Sequence, residues 1–241
     1  MITLYGGATP NARKVSIALE EMGLPWRLEL IDILNGDQLT PEFLAINPNN
    51  KAPAIIDDDP PAGGDGKPFV LWESGAILLY LAEKTGRFMP TAPAQRAIAM
   101  QWLMFQMSGI GPMFGQNAHF EFYAKERHEY AANRYANEVD RLLRVLEMRL
   151  AESAFIAGDD YTIVDMATFP YLQRQLQLNG EELPHMSRWA DGIRARSAMQ
   201  RGMQVGLAEL RKETIEGGLS GFSDDHRSIL FGEKQFERFK G

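Results

Sequence analysis

Apolar and polar residues alternate in Ile2-Thr3-Leu4-Tyr5, the period of a half-buried strand, directly at the start of the chain. After a loop over 6–10, Val15, Ala18, Leu19 and Met22 recur at helical spacing, and Gly23 is placed to end that helix. Trp26, Leu28 and Leu30 then alternate with Arg27 and Glu29 as a second strand. A turn at Asn35-Gly36-Asp37 and a short helix opened by Thr40-Pro41-Glu42 lead to a bend over 47–53. Residues 54–57 and 69–72 read as a hairpin around a Pro/Gly-rich loop, with Asp57-Asp58-Asp59 as its solvated tip. An apolar-periodic run over 74–85 completes a βαβ-α-ββα order, the thioredoxin-like α/β arrangement.

From 94 onward the pattern is helical throughout. Residues 86–93 collect turn formers and read as a linker. The helix over 94–107 is expected to kink or break at Gly109-Ile110-Gly111-Pro112. Val139, Leu142, Leu143, Leu146 and Leu150 form an apolar stripe on a later helix, and Thr162-Ile163-Val164-Asp165 reads as a capping box with Asp in the Glu position. The expected organisation is an α/β domain over 1–86, an all-helical C-terminal domain over 94–211, and a polar, glycine-rich tail over 212–241 whose structure the pattern leaves open.

The 241 residues suffice for two modest domains, and no apolar run approaches the ~20 residues of a membrane helix. A net charge of −7 weighs against nucleic acid as a partner. Together with a strand pattern at the N-terminus, these features predict a cytoplasmic protein without a membrane partner. The absence of cysteine excludes disulfides, thiolate metal sites and a cysteine nucleophile. Four histidines at no ligand spacing predict no metal, and His119 is expected to be structural.

Candidate chemistry gathers where the strand Phe69-Val70-Leu71-Trp72 runs into Glu73-Ser74 and a new helix. The Ser74 hydroxyl can cap that helix, whose free N–H groups and dipole favour a carboxylate, and Glu73 can accept from an ammonium group. Such a pair suits an α-amino acid end; a plain capped helix fits the same residues. Upstream, Asn47-Pro48-Asn49-Asn50-Lys51-Ala52-Pro53 sets a proline before an apolar strand. A cis Ala52-Pro53 bond would turn the Ala52 backbone outward to pair with an extended peptide. A trans proline at a strand start is the alternative. Thr9 and Asn11 enter the first helix, where an anion is stabilised, and they serve equally as loop formers.

These motifs, with Tyr161-Thr162-Ile163-Val164-Asp165, resemble the cytosolic glutathione transferase superfamily over residues 1–205. Thr9-Pro10-Asn11, Glu83-Lys84-Thr85-Gly86 and Gly111-Pro112-Met113 are similar to its bacterial nu class. The resemblance implies a homodimer that uses glutathione as co-substrate to reduce disulfides or attack electrophiles. A non-catalytic protein of the same fold, used for binding or regulation, is the alternative. It implies Thr9 and Asn11 as catalytic donors to the glutathione thiolate, with Tyr5 as a competing donor. It further implies contacts to glutathione from Gln38, Lys51, Ala52, Pro53, Glu73 and Ser74, and from Arg134 across the dimer. Met104, Phe105, Met107, Met113 and Phe114 are placed near the second-substrate side, with no individual contact assigned.

Overall fold

The alternation in Ile2-Thr3-Leu4 becomes a central strand with both neighbours filled. The computed structural model describes residues 1–61, 66–208 and 222–239. Strands β1 (Ile2–Gly6), β2 (Trp26–Leu30), β3 (Ala54–Asp57) and β4 (Phe69–Trp72) form one sheet in the order β2-β1-β3-β4. β1 runs parallel to β2 and antiparallel to β3, which pairs antiparallel with β4. The parallel pair needs a crossover, and α1 (Pro10–Met22) supplies it. Thr9 caps α1 by accepting from Ala12 N at 3.3 Å, Pro10 occupies its first turn, and Gly23 ends it in the left-handed region. α2 (Pro41–Ile46) begins at Thr40, whose hydroxyl accepts from Phe43 N.

α1 and α3 (Ser74–Thr85) lie side by side between the sheet and the helical half, touching α7 (Ile163–Asn179); α1 also meets α9 (Ser197–Gln204). Gly202 makes that last approach possible. A Cβ there would sit 2.6 Å from the Ile17 Cα, and Ser16 Oγ donates to the Gly202 carbonyl at 2.8 Å. Arg196 adds a two-pronged pair to Glu21, both bonds 2.7 Å.

The linker over 86–93 is pinned to the helical half. Ile163 N donates to the Phe88 carbonyl at 3.0 Å, and the Phe88 ring meets Tyr161 edge-on. The predicted break near Pro112 takes another form. α4 (Pro93–Phe105) passes through a π-helical turn, Gln106–Ile110, into α5 (Gly111–Ala118), and a second wide turn follows at His119–Tyr123. Pro112 has no N–H to donate and its ring crowds the preceding carbonyls; widening the turn ahead of it removes that conflict without ending the helix. α6 (Glu129–Glu152) turns its predicted apolar stripe to the core. α8 (Pro184–Arg194) packs against it.

The capping box at the start of α7 is present with both reciprocal bonds. The Asp165 carboxylate is buried and accepts from Thr162 N, Thr162 Oγ1, Ile156 N and Trp189 Nε1. Two readings are corrected. Asp57 belongs to no solvated tip: it is 1 % exposed and holds Tyr80 OH at 2.7 Å and Lys84 Nζ at 2.8 Å. Burial opposes its charge, but the bonds from Lys84 and Tyr80 prevail and hold its pKa below the usual carboxylate value. Ser74 does not cap α3: Glu73 takes the cap position without a side-chain bond, and Ser74 is the first helical residue. Of the tail, the last two residues, 240–241, and the segment 212–221 lie outside the described residues. Beyond that segment, α10 (Asp224–Phe231) is opened by a capping box at Ser223, and a 3-10 segment follows at Glu233–Phe239.

Candidate active site

Two connected cavities open where the first turn of α1, the bend before β3 and the first turn of α3 converge. The inner one, 360 Å³, is lined by Asn11, Lys14, Lys51, Ala52, Pro53, Glu73, Ser74 and Tyr171. The outer one, 670 Å³, shares Asn11, Lys51 and Ala52 and adds Thr9 and Gln38. Thr9, Asn11, Gln38, Lys51, Ala52, Pro53, Glu73 and Ser74 are thereby brought together. Arg134 is not: it lies on α6, 56 % exposed, 3.7 Å from Glu138. Tyr5 pairs within the sheet and lines neither cavity.

Local structure explains each placement. The Ala52-Pro53 bond is cis. Asn47 fixes the bend by donating to the Lys51 carbonyl and accepting from Asn49 N. Glu73 carries a positive φ of 73° at the strand-to-helix junction, a conformation that non-glycine residues adopt at a cost. Gln38 is 3 % exposed; its amide donates to the Ile33 carbonyl while Oε1 has no partner among the described residues. Asn11 Oδ1 accepts from Tyr171 OH at 2.8 Å, which leaves the Asn11 amide hydrogens free for the cavity. Burial pushes the Tyr171 phenol up to about 12, outweighing the bond to Asn11, so it stays a donor.

Two residues of the inner cavity, Lys14 and Tyr171, and Gln106 buried behind it, escaped the sequence reading. Lys14 is 1 % exposed, and its Nζ donates to Gln106 Oε1 at 2.8 Å and lies 3.4 Å from Ser74 Oγ. Burial draws its pKa down to about 7 against the opposing charge of Glu73. A signal existed: position 14 lies four residues before Ala18, on the apolar side of α1. Gln106 and Tyr171 carried no local pattern.

The methionine and aromatic group is divided among different surroundings. Met107 faces the inner cavity, Phe114 is buried and Met104 points to solvent. The outer cavity is walled instead by Ile31, Ile33, Leu34, Tyr123 and, from the tail, Phe222, Leu230 and Phe231. His119 meets Phe120 and Phe231 edge-on, in an aromatic cluster. The tail also reaches Lys51, whose Nζ donates to Gln235 Oε1 at 2.8 Å.

The signature of the glutathione S-transferase N-terminal domain matches residues 8–84, and that of the C-terminal domain matches 98–197. The chain belongs to the glutathione S-transferase family. It is 45 % identical over 200 residues to the disulfide-bond oxidoreductase YfcG of Escherichia coli, covering 82 % of this chain and 92 % of that one. It is similar to a family member from Pseudomonas fluorescens solved with two glutathione bound, at a TM-score of 0.79 and 44 % identity over 85 % of this chain and 92 % of that one. A Pseudomonas putida glutathione transferase with one glutathione disulfide bound per subunit has a TM-score of 0.78 and 42 % identity, over 84 % and 90 %. The thioredoxin-like sheet joined to a helical half is the architecture of this family. Among the described residues no helix is long and apolar enough to cross a membrane.

Proposed function

We propose that this transferase reduces disulfides with glutathione, the bound thiolate acting as the nucleophile. The observation that carries the reading is the position of Asn11. It stands at the first turn of α1 where the two cavities meet, with its carbonyl engaged by Tyr171 and its amide hydrogens left for a ligand. Thr9, at the cap of the same helix, is the second donor. A sulfur held there faces free N–H groups and the positive end of a helix, which lower a thiol pKa by one to several units, to about 7 or below. The kinship with a disulfide-bond oxidoreductase and with structures holding two glutathiones or their disulfide supports the same chemistry.

The glutathione thiolate attacks one sulfur of the substrate disulfide. The S–S bond breaks, the leaving thiolate takes a proton, and a mixed disulfide with glutathione forms. A second glutathione thiolate attacks that species, releasing oxidised glutathione and the second substrate thiol. No protein thiol takes part, because the chain contains no cysteine. The γ-glutamyl end is assigned to Glu73 and Ser74, the cysteinyl unit to Ala52 and Pro53, and the glycyl end to Gln38 and Lys51.

Reduction of hydroxyethyl disulfide, followed through formation of oxidised glutathione, tests this. Activity is expected to persist after treatment with a thiol-alkylating reagent and removal of its excess. The Thr9→Ala/Asn11→Ala pair is expected to raise the pKa of the bound thiol and to slow turnover roughly 100-fold, with binding less affected. Brisk conjugation of an aromatic electrophile without any disulfide reduction would reject the reading.

The protein is further assigned to the cytoplasm and to a homodimer of about 54 kDa, twice the 27.1 kDa chain. Arg134, whose one ion pair among the described residues is with Glu138 on its own helix, is exposed enough to swing toward a partner's ligand. Arg134→Ala is expected to weaken glutathione binding roughly three- to tenfold without dissociating the dimer. Sedimentation and calorimetry check both parts; a fully active monomer rejects both.

A further inference from the structure

Among the described residues, every hydrogen-bonding partner of the Lys14 ammonium is neutral. Gln106 Oε1 accepts from it at 2.8 Å, and Ser74 Oγ and Met107 Sδ lie at 3.4 Å. The Tyr171 ring faces it from 5.1 Å. Among the described residues no carboxylate stands within ion-pairing distance. A lysine this deeply buried is rare without an anion, because a lone desolvated charge is costly. The fold nevertheless keeps Lys14 where it opens onto the inner cavity.

The surroundings say which anion is missing. Ser74 and the free N–H groups of the first turn of α3 stand on the same wall as Lys14, a disposition that attracts a carboxylate. Glu73, one residue earlier, offers the opposite charge. Cation and helix start on one side, carboxylate on the next: the pattern matches the zwitterion of an α-amino acid.

We propose that Lys14, with Ser74 Oγ, receives the α-carboxylate of the γ-glutamyl group, and that ligand binding draws a proton onto the Lys14 amine. The assignment rests on the glutathione reading above and adds a charged residue to it. In the free protein, burial leaves the amine largely neutral above pH 7. The incoming carboxylate restores the reason to be charged, so one proton moves from buffer to Nζ as the ion pair forms. The other titratable groups lining the cavity are Glu73, Tyr171 and Lys51. The Tyr171 phenol, pushed up to about 12, stays neutral throughout; burial also lowers the Lys51 pKa, and variants at Lys14, which leave Lys51 in place, separate its share of any uptake.

S-methylglutathione is the suitable probe, since it has no thiol to ionise and confuse the proton count. Its binding is measured by calorimetry in phosphate and in Tris, whose ionisation enthalpies differ. The expected uptake is about 0.9 proton per site near pH 8 and about 0.1 near pH 6, so affinity falls as pH rises above 7. K14M is expected to lose the uptake and roughly 10- to 100-fold in affinity. K14R, charged at every pH used, is expected to bind without uptake. Uptake that is absent in the wild-type chain, or that persists undiminished in either variant, overturns the role of Lys14 while leaving the glutathione site standing. If K14M does not fold, as judged by circular dichroism, K14R alone decides. No binding of the probe to the wild-type chain overturns the glutathione reading and this assignment together.

Discussion

Replacing Glu73 by glutamine is expected to weaken glutathione binding roughly 10- to 100-fold with the fold intact. The amide keeps the length and shape of the side chain and removes only the charge that accepts the γ-glutamyl ammonium. A charge-assisted bond of this kind is worth ~1.5–3 kcal/mol, which sets the range. Glu73→Gly separates the residue's two roles. The positive φ of 73° costs a non-glycine residue roughly 1–3 kcal/mol, whereas glycine adopts it freely but gives up about 1 kcal/mol in chain entropy. The glycine variant is therefore expected to melt at a higher temperature than the native chain and to bind glutathione poorly. Calorimetric titration and thermal unfolding read the two effects. Unchanged affinity in the glutamine variant would remove Glu73 from the ligand.

The largest effect on stability is expected at Asp165. Its carboxylate gathers donors from Ile156 N, Thr162 N, Thr162 Oγ1 and Trp189 Nε1, and so ties the start of α7 to α8 and to the preceding loop. Burial alone favours the protonated acid and raises its pKa, and the bonds from Ile156 and Thr162 pull the other way. Asp165→Ala leaves those buried donors without partners, at a cost of roughly 3–5 kcal/mol. For a chain of this length that lowers the melting temperature by about 10 °C or more. Asp165→Asn does not rescue it, because either orientation of the amide turns an NH₂ group against a backbone or indole donor. Asp165 touches neither cavity, so the folded fraction of each variant is expected to bind glutathione normally. A loss of affinity exceeding the loss of folded protein would contradict that separation.

Much of this architecture is legible along the chain because its signals are local. Thr40 with Pro41 announces a helix start, Gly23 a helix end, and Thr162 with Asp165 a capping box; each acts within four residues, and the structure realises all of them. Glu73 and Ser74 both line the inner cavity, but the cap expected at Ser74 falls at Glu73, since a positive φ at Glu73 cannot be read from residue types. Asp57 looked like part of a charged turn because its partners, Tyr80 and Lys84, come from a different element. Lys14 has the same explanation: its environment is assembled from α3, α7 and the wide turn after α4. The apolar wall from Phe222 to Phe231 depends on where a distant tail folds back. Local chemistry is written in the sequence, whereas burial of a charge by remote segments is written only in the fold.

The wide turn Gln106–Ile110 amounts to one residue more than a regular helix would hold. Each residue of an α-helix turns its successors by about 100°. Excising one position here would give a straighter and more conventional helix, yet would swing Gly111, Pro112 and Gly115 out of the wall they now share with Asn11 and Tyr171. Gln106 and Met107 would lose their hold on Lys14 in the same movement. The phase of this helix is thus part of the site's chemistry. Any alignment or graft that treats residues 106–110 as ordinary helix can keep the pocket's side chains and still misplace them.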